Sequence, residues 1–194
     1  MSTRIDRPSS SIASLSGFTF IEILITLSLL MLIILQNSQA IHAVFIRQQA
    51  STLLEQLQNS LTFARSKAIY SNSIVTVCPI EERHCGEEWS RGLLIFIDSN
   101  NNQTVDENEN PLKVIHFSQT NFSITWTASG RKKILRFSPS GTAKEFGRFN
   151  FCNKKDRTLA AQTLVVSRMG KTRRYRDRDQ DGYVEDRDGR KPDC

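Results

Sequence analysis

From Gly17 the chain holds an unbroken apolar run, GFTFIEILITLSLLMLIILQ, in which Glu22 is the one charged residue. Its core, 18–35, lies at the lower end of the roughly 17–25 residues that a membrane-spanning helix needs. The pattern then changes without a break, since neither Pro nor Gly occurs between Gln36 and Pro79. Ala50, Leu53, Leu54, Leu57, Leu61, Ala64 and Ala68 recur at spacings of three and four, while Gln48, Gln49, Glu55, Gln56, Gln58 and Asn59 fill the positions between them. That periodicity predicts one helix over 18–70, apolar all round in its first half and amphipathic in its second. Beyond it come short runs rich in Val, Ile and Phe at 73–78, 92–97, 112–117, 122–126, 134–137, 148–152 and 163–167. Turn residues such as Ser129-Gly130 and Ser138-Pro139-Ser140-Gly141 separate them. A long helix followed by closely spaced strands predicts an α+β chain, the helix packed on an antiparallel β-sheet domain. The domains follow from this: a polar leader 1–17, the helix 18–70 with 18–35 as the span, a β-rich globular part 71–168, and a charged tail 169–194.

Glu22 does not fit a plain membrane anchor, because a lone carboxylate in hydrocarbon is costly and its presence there points to function. An ordinary secretory signal explains it no better. The residues after the run, Gln36-Asn37-Ser38-Gln39-Ala40, make a poor small-residue cleavage site. The leader is rich in serine and carries Arg4 and Arg7. A formal net charge of +6 leans basic, which permits contact with nucleic acid or anionic lipid without requiring either. Cys78, Cys85, Cys152 and Cys194 form an even set, read as two disulfides if the domain lies outside the cytoplasm. Four cysteines allow three connectivities. We favour Cys78–Cys85 as a local loop and Cys152–Cys194 as a staple for the tail. A metal site on His84 and Cys85 is the minor alternative, since no second Cys or His pair stands at zinc spacing.

The stretch Gly17-Phe18-Thr19-Phe20-Ile21-Glu22 resembles the processing site of type IV pilins and type II secretion pseudopilins. The resemblance implies that a prepilin peptidase cuts after Gly17, so that 1–17 is a cleaved leader, and methylates Phe18. It also implies that Glu22 meets the positive N-terminus of a neighbouring subunit during assembly, a pair far less costly than an isolated charge. Further along stand Phe63-Ala64-Arg65-Ser66-Lys67-Ala68-Ile69, Val77-Cys78-Pro79, Trp89-Ser90-Arg91-Gly92, Phe96-Ile97-Asp98, Phe137-Ser138-Pro139-Ser140-Gly141 and Val165-Val166-Ser167-Arg168-Met169-Gly170. In order and spacing these resemble the GspH/FimT group of minor pilins and pseudopilins, over most of the chain from Gly17 to about Arg173. The implied fold is the type IV pilin fold. The implied place is the bacterial inner membrane, by a single pass with a periplasmic domain, and then a type IV pilus or a type II secretion pseudopilus, near the tip or in assembly initiation. Other pilins or pseudopilins are the implied partners.

Two acidic loops are candidate calcium sites, and calcium is the one cofactor considered. Asp98, Asn100, Asn102, Asp106 and Glu109 place oxygen side chains at the first, third, fifth, ninth and twelfth positions of a calcium loop, with Gln103 where such a loop carries glycine. Asp177, Asp179, Asp181 and Asp188 form the second set, which keeps Gly182 but carries Arg178 and Arg187 within it. The alternative is a solvated turn and a charged, flexible tail.

A basic stretch, Arg168, Lys171, Arg173, Arg174 and Arg176, is the candidate DNA contact. In some DNA-uptake minor pilins of this group a C-terminal Gly-Arg-x-Arg motif contacts DNA. Here Gly170 and Arg173 match, and Lys171 stands in for the first arginine, meeting phosphate as a point charge. Tyr175 could stack on an unpaired base. The alternative is a purely structural type II secretion pseudopilin whose strand ends in basic residues. Gly170-Lys171-Thr172 is not a phosphate loop, because Val165 occupies the first glycine position. Three scattered histidines and no nucleophile–base set point away from an enzyme.

Overall fold

The structure is a computed structural model that describes residues 17–106, 108–117, 121–130, 133–156, 160–175, 184–185, 189, 191 and 194, with the backbone alone for 35–40. One helix, α1, runs Phe20–Ser71, within two residues of the predicted span. Among the described residues nine strands follow: β1 Val75–Glu81, β2 His84–Cys85, β3 Gly92–Ile97, β4 Pro111–His116, β5 Phe122–Ala128, β6 Leu135–Phe137, β7 Gly147–Asn153, β8 Gln162–Val166 and β9 Thr172–Arg174. The chain divides into two compact units inside α1, between Ile41 and His42.

In the first unit Phe18 and the large apolar side chains of α1 from Phe20 to Ile34 are exposed. Among the described residues no helix is long and apolar enough to cross a membrane. The described side chains of this run stop at Ile34, one residue short of the predicted span.

In the second unit the predicted amphipathic face is the buried one. Ala50, Leu53, Leu54, Leu57, Leu61, Ala64 and Ala68 all lie in the main core, joined there by Ile46. Every strand pairing is antiparallel, but the strands form two sheets where the sequence predicts one. The first has the order β2-β1-β3-β4 with β6 also on β1, and the second has the order β5-β7-β8-β9. The break lies between β4 and β5, because β6 returns to β1 while β5 pairs β7 in full register from Phe122–Asn153 to Ala128–Gly147. Alternation in single strands could not show this, since it reports which face is buried and not which strand is the neighbour.

The main core takes Val75, Val77, Leu93 and Ile95 from the first sheet and Phe149, Phe151, Leu164 and Val166 from the second. The other face of the first sheet is buried too, under Val105 and Ile134, around Cys78, Ile80, Leu94 and Phe96. Burial on both faces explains why β1 and β3 read as nearly continuous apolar runs. Pro79 is tolerated inside β1 because it falls between the stretch that pairs β6 and the stretch that pairs β2. A 3-10 turn, Trp89–Arg91, joins the sheets: the Ile124 N–H donates to Ser90 Oγ at 2.9 Å. Trp89 and Trp126 pack edge-on and stacked against Phe149, with centroids 4.8 and 4.3 Å away.

Candidate functional site

Thr19 closes the start of α1. Its Oγ1 accepts the Glu22 N–H at 3.3 Å, and its carbonyl accepts the N–H groups of Glu22 and Ile23 at 3.1 and 3.3 Å. Thr with Glu three residues on is the capping-box pattern, and Glu22 lies in the first turn, where the helix dipole favours negative charge. That signal is legible in the sequence, yet the reading of Glu22 as an assembly residue passes over it. The hydroxyls farther along the run are turned onto their own backbone. Thr26 Oγ1 donates to the Ile23 carbonyl at 2.9 Å and Ser28 Oγ to the Ile25 carbonyl at 2.8 Å. Among the described residues of this run, the Glu22 carboxylate is left as the polar side chain with no hydrogen bond or ion pair of its own. Phe18 is 80% exposed and nothing lies within 4 Å of the place a Cβ would take on Gly17, so among the described residues no side chain covers this pair.

Three of the sequence motifs meet at one place. Arg65 Nε donates to the Gly141 carbonyl at 2.8 Å, and the Ala143 N–H donates to the Arg168 carbonyl at 3.0 Å. A Cβ on Gly170 would stand 2.2 Å from the Gly141 carbonyl oxygen and 2.9 Å from Arg65 Nε. The residues around Arg65, Gly141 and Gly170 are therefore a structural lock that fastens two loops to α1. No local pattern gives this away, as Arg65 and Gly141 are 76 positions apart.

The basic stretch lies on the hairpin of β8 and β9, closed by Ser167–Lys171 hydrogen bonds. The segment predicted as a tail thus begins with a strand, because Leu164, Val165 and Val166 supply a partner edge for Thr172–Arg174. Its cations are not equivalent. Arg174 Nε donates to Gln58 Oε1 at 2.6 Å and its Nη1 approaches Glu55 Oε1 at 3.3 Å, so it is tied back to α1. The Arg168 guanidinium lies over the Phe146 ring at 4.9 Å. Lys171 and Arg173 are exposed and, among the described residues, carry no side-chain ion pair. Arg176 lies outside the described residues.

The acidic loop between β3 and β4 is built around Asp98, which is 1% exposed. Its Oδ2 accepts from Thr76 Oγ1 at 2.9 Å and from the Gln103 N–H at 3.2 Å. The Asn102 and Thr104 N–H groups donate to Asn100 Oδ1 and Asn102 Oδ1 at 3.1 and 2.9 Å. The Nδ2 groups of Asn100 and Asn102 both donate to Asp106 Oδ2, at 2.7 and 2.9 Å. Glu109 Oε1 accepts from the Ser99 N–H at 2.8 Å. Among the described residues no three His, Cys, Asp or Glu groups cluster as a metal set; the oxygens here are shared between carboxylates and carboxamides. Beside the loop, Arg136 bridges to Glu145 at 2.5 Å and donates to Asn101 Oδ1 at 2.9 Å. The second acidic set, Asp177, Asp179, Asp181 and Asp188, lies outside the described residues.

Cys78–Cys85 and Cys152–Cys194 are disulfide-bonded, the favoured connectivity of the three. With its sulfur in that bond, Cys85 is not available as a metal-ligating thiolate beside His84.

A family model described as type II transport protein GspH matches residues 53–170. Among solved structures, the type IV minor pilin FimU of Pseudomonas aeruginosa is similar at 19% identity with a TM-score of 0.54, over 67% of this chain and 90% of that one. The minor pseudopilin EpsH from the Type 2 Secretion System of Vibrio cholerae is similar at 14% identity over 65% of this chain and 95% of that one; its TM-score of 0.45 carries no argument. None of the curated proteins matches. At such identities the likeness to FimU shows the α+β pilin fold and nothing finer.

Proposed function

Since this chain belongs to the GspH family of type II transport proteins, we propose that it is a minor pilin or pseudopilin that assembles into a type IV pilus or a type II secretion pseudopilus. The observation that carries this reading is Glu22. It is the unsatisfied carboxylate in a helix whose apolar side chains are exposed around it, while the hydroxyls nearby are bonded internally. A surface of that kind needs lipid or other apolar helices as neighbours, and the carboxylate needs a cation among them. Cleavage after Gly17 would create one, the α-amino group of Phe18 on an adjacent subunit. The peptidase, which would also methylate that amine, and the inner membrane are thus partners in the proposal. Arg4 and Arg7 in the leader favour a cytoplasmic N-terminus, which puts the disulfide-bonded unit in the periplasm, where such bonds persist. Placement near the tip or in initiation follows from the minor-subunit group that the sequence resembles.

Mass spectrometry of the mature protein is expected to show an N-terminus at Phe18, methylated. Glu22→Ala is expected to keep the circular dichroism of the domain and to fall out of purified filaments. A mature chain that begins after Ala40, or normal incorporation of the variant, would overturn the proposed pairing.

A second reading adds DNA for uptake. What favours it is the pair Lys171 and Arg173, exposed on one hairpin and left without ion pairs among the described residues.

A further inference from the structure

We propose that the open edge of β5 takes up an extended, uncharged segment of a neighbouring pilin subunit as an added strand, an inference that deepens the assembly reading above and rests on it. β5 ends the second sheet and has β7 on one side only. In an antiparallel pair the N–H and C=O of one residue point to the same side, and the side alternates along the strand. Bonds just beyond both ends of β5 fix which side is which. The Lys154 N–H donates to the Asn121 carbonyl at 2.7 Å, and the Ser129 N–H donates to the Phe146 carbonyl at 2.8 Å. The odd positions therefore face β7, and Ile124, Trp126 and Ala128 turn their backbone groups outward. Ser90 Oγ takes the Ile124 N–H at 2.9 Å. Among the described residues no bond reaches the outward groups of Trp126 and Ala128. The indole Nε1 of Trp126 is also buried without a partner.

The other sheet edges are protected. β2 has two residues, and β9 has three, of which two are arginines. β4 carries Pro111 and Lys113, and its register shifts at Ile95–Phe96 of β3. The outer side of β6 is covered by Ala143 and by the Lys144 N–H, which donates to the Arg136 carbonyl at 2.8 Å. Short length, proline, charge and bulges are the usual means of keeping an edge from pairing with another chain. β5 has none of them. Its seven residues, FSITWTA, hold neither charge nor proline, and its register is unbroken. What matches such a row of alternating donors and acceptors is another extended backbone.

The surroundings describe the occupant. A groove of about 660 Å³ lies at this edge, lined by 123–128 and, opposite, by 87–90 and Lys133. Its charges are spent within the chain, Glu87 on Lys133 and Glu88 on Arg91, so an uncharged segment complements it. Ile124 is buried and Trp126 half-buried on one face of β5, while Thr125 and Thr127 are exposed on the other. The added strand should therefore alternate apolar and polar residues to match its neighbours. From Ile124 to Ala128 the edge accommodates about five residues. A contact so short buries far less than the roughly 1,200 Å² that a stable free complex needs. It holds where the partner is already tethered alongside, which raises its effective concentration. A subunit anchored in the same filament by its apolar helix meets that condition, and a soluble peptide does not.

The test uses the full chain in cells that build filaments, with the photo-crosslinking residue benzoylphenylalanine at Thr127 or, for comparison, at the exposed Val114 of β4. Links formed on illumination are mapped by mass spectrometry of purified filaments. Position 127 is expected to join an uncharged segment of alternating pattern in another pilin subunit, and position 114 is not. Linkage to a helix, to lipid or to a protein outside the filament overturns the proposal, as does equal linkage from both positions. Two variants probe the same edge. Ala128→Pro removes an outward donor and leaves the bonds to β7 in place. Thr127→Lys puts a charge at the rim. Each is expected to keep the circular dichroism of the wild type and to enter filaments about fivefold less, the worth of roughly one backbone hydrogen bond. Thr127→Lys reports even if Ala128→Pro fails to fold. Normal incorporation of Thr127→Lys overturns the added strand and leaves the assembly reading intact, whereas absence of the wild-type chain from filaments removes both.

Discussion

Gly170 shows how much one missing Cβ can decide. Its φ of +70° is left-handed, and a side chain there would meet the Gly141 carbonyl at 2.2 Å and the Arg65 guanidinium at 2.9 Å. Gly130 also has a positive φ, +84°, but nothing lies within 4 Å of the position a Cβ would take. The two residues separate conformational strain from steric conflict. Gly130→Ala is expected to cost about 1 kcal/mol, the ordinary penalty of a left-handed L-residue. Gly170→Ala is expected to cost about 3 kcal/mol or more, because the Arg65–Gly141 hydrogen bond must open as well. Urea unfolding of both variants checks this, and equal losses would mean that the lock contributes little. At the same scale, the Lys133 ammonium bonds the exposed Glu87 carboxylate and holds its pKa below the usual range, first through that hydrogen bond and then through its charge.

The hairpin of β8 and β9 divides its cations by position. Thr172 and Arg174 share one side of β9, and Arg174 is spent on Gln58 and Glu55 of α1. Arg173 lies on the other side, with Lys171 just before it. The DNA contact proposed for this element therefore rests on Lys171 and Arg173, and Arg174→Ala would mix a loss of charge with a loosened strand. In duplex titrations of the full chain in detergent, Lys171→Ala with Arg173→Ala is expected to weaken binding. The salt slope should become shallower by about 0.9 log units for each phosphate that the variant no longer neutralises. Binding should vary little with base sequence, since groups that meet phosphate position the protein without reading bases. If wild type and variant bind alike, the hairpin is only a charged edge and the assembly role stands alone.

Over the whole molecule the two disulfides close loops of very different size. Cys78–Cys85 spans a separation of 7 residues and Cys152–Cys194 one of 42. On the chain-entropy account the longer loop restrains the unfolded state by about 4 kcal/mol and the shorter by about 2.5 kcal/mol. Replacing Cys152 and Cys194 with Ala is accordingly expected to lower the Tm more than replacing Cys78 and Cys85 with Ala. Differential scanning calorimetry of the two double variants checks the order. Cys78 and Cys152 are both buried, so Ala in both pairs keeps an unpaired hydroxyl out of the core.

What the sequence determined by itself is whatever depends on neighbours within a few positions. The periodicity from Ala50 to Ala68 is the buried face of α1 because a helix brings residues three and four apart to one side. The unbroken apolar run, its glutamate and the α+β class rest on equally local patterns, and the Thr19–Glu22 cap was legible in the same way. The tertiary structure alone decided which distant positions meet. It split the strands into two sheets, since alternation does not name a partner. It drew Arg65 to Gly141 across 76 positions and Arg174 to Gln58 across 116, which turned family motifs into a lock and removed a cation from the candidate DNA face. It also gave Gln103 the turn expected of a glycine and left Asp98 Oδ1 buried without a partner among the described residues, in a loop tied down by the Thr76–Asp98 hydrogen bond and by its own Val105 packed on the first sheet.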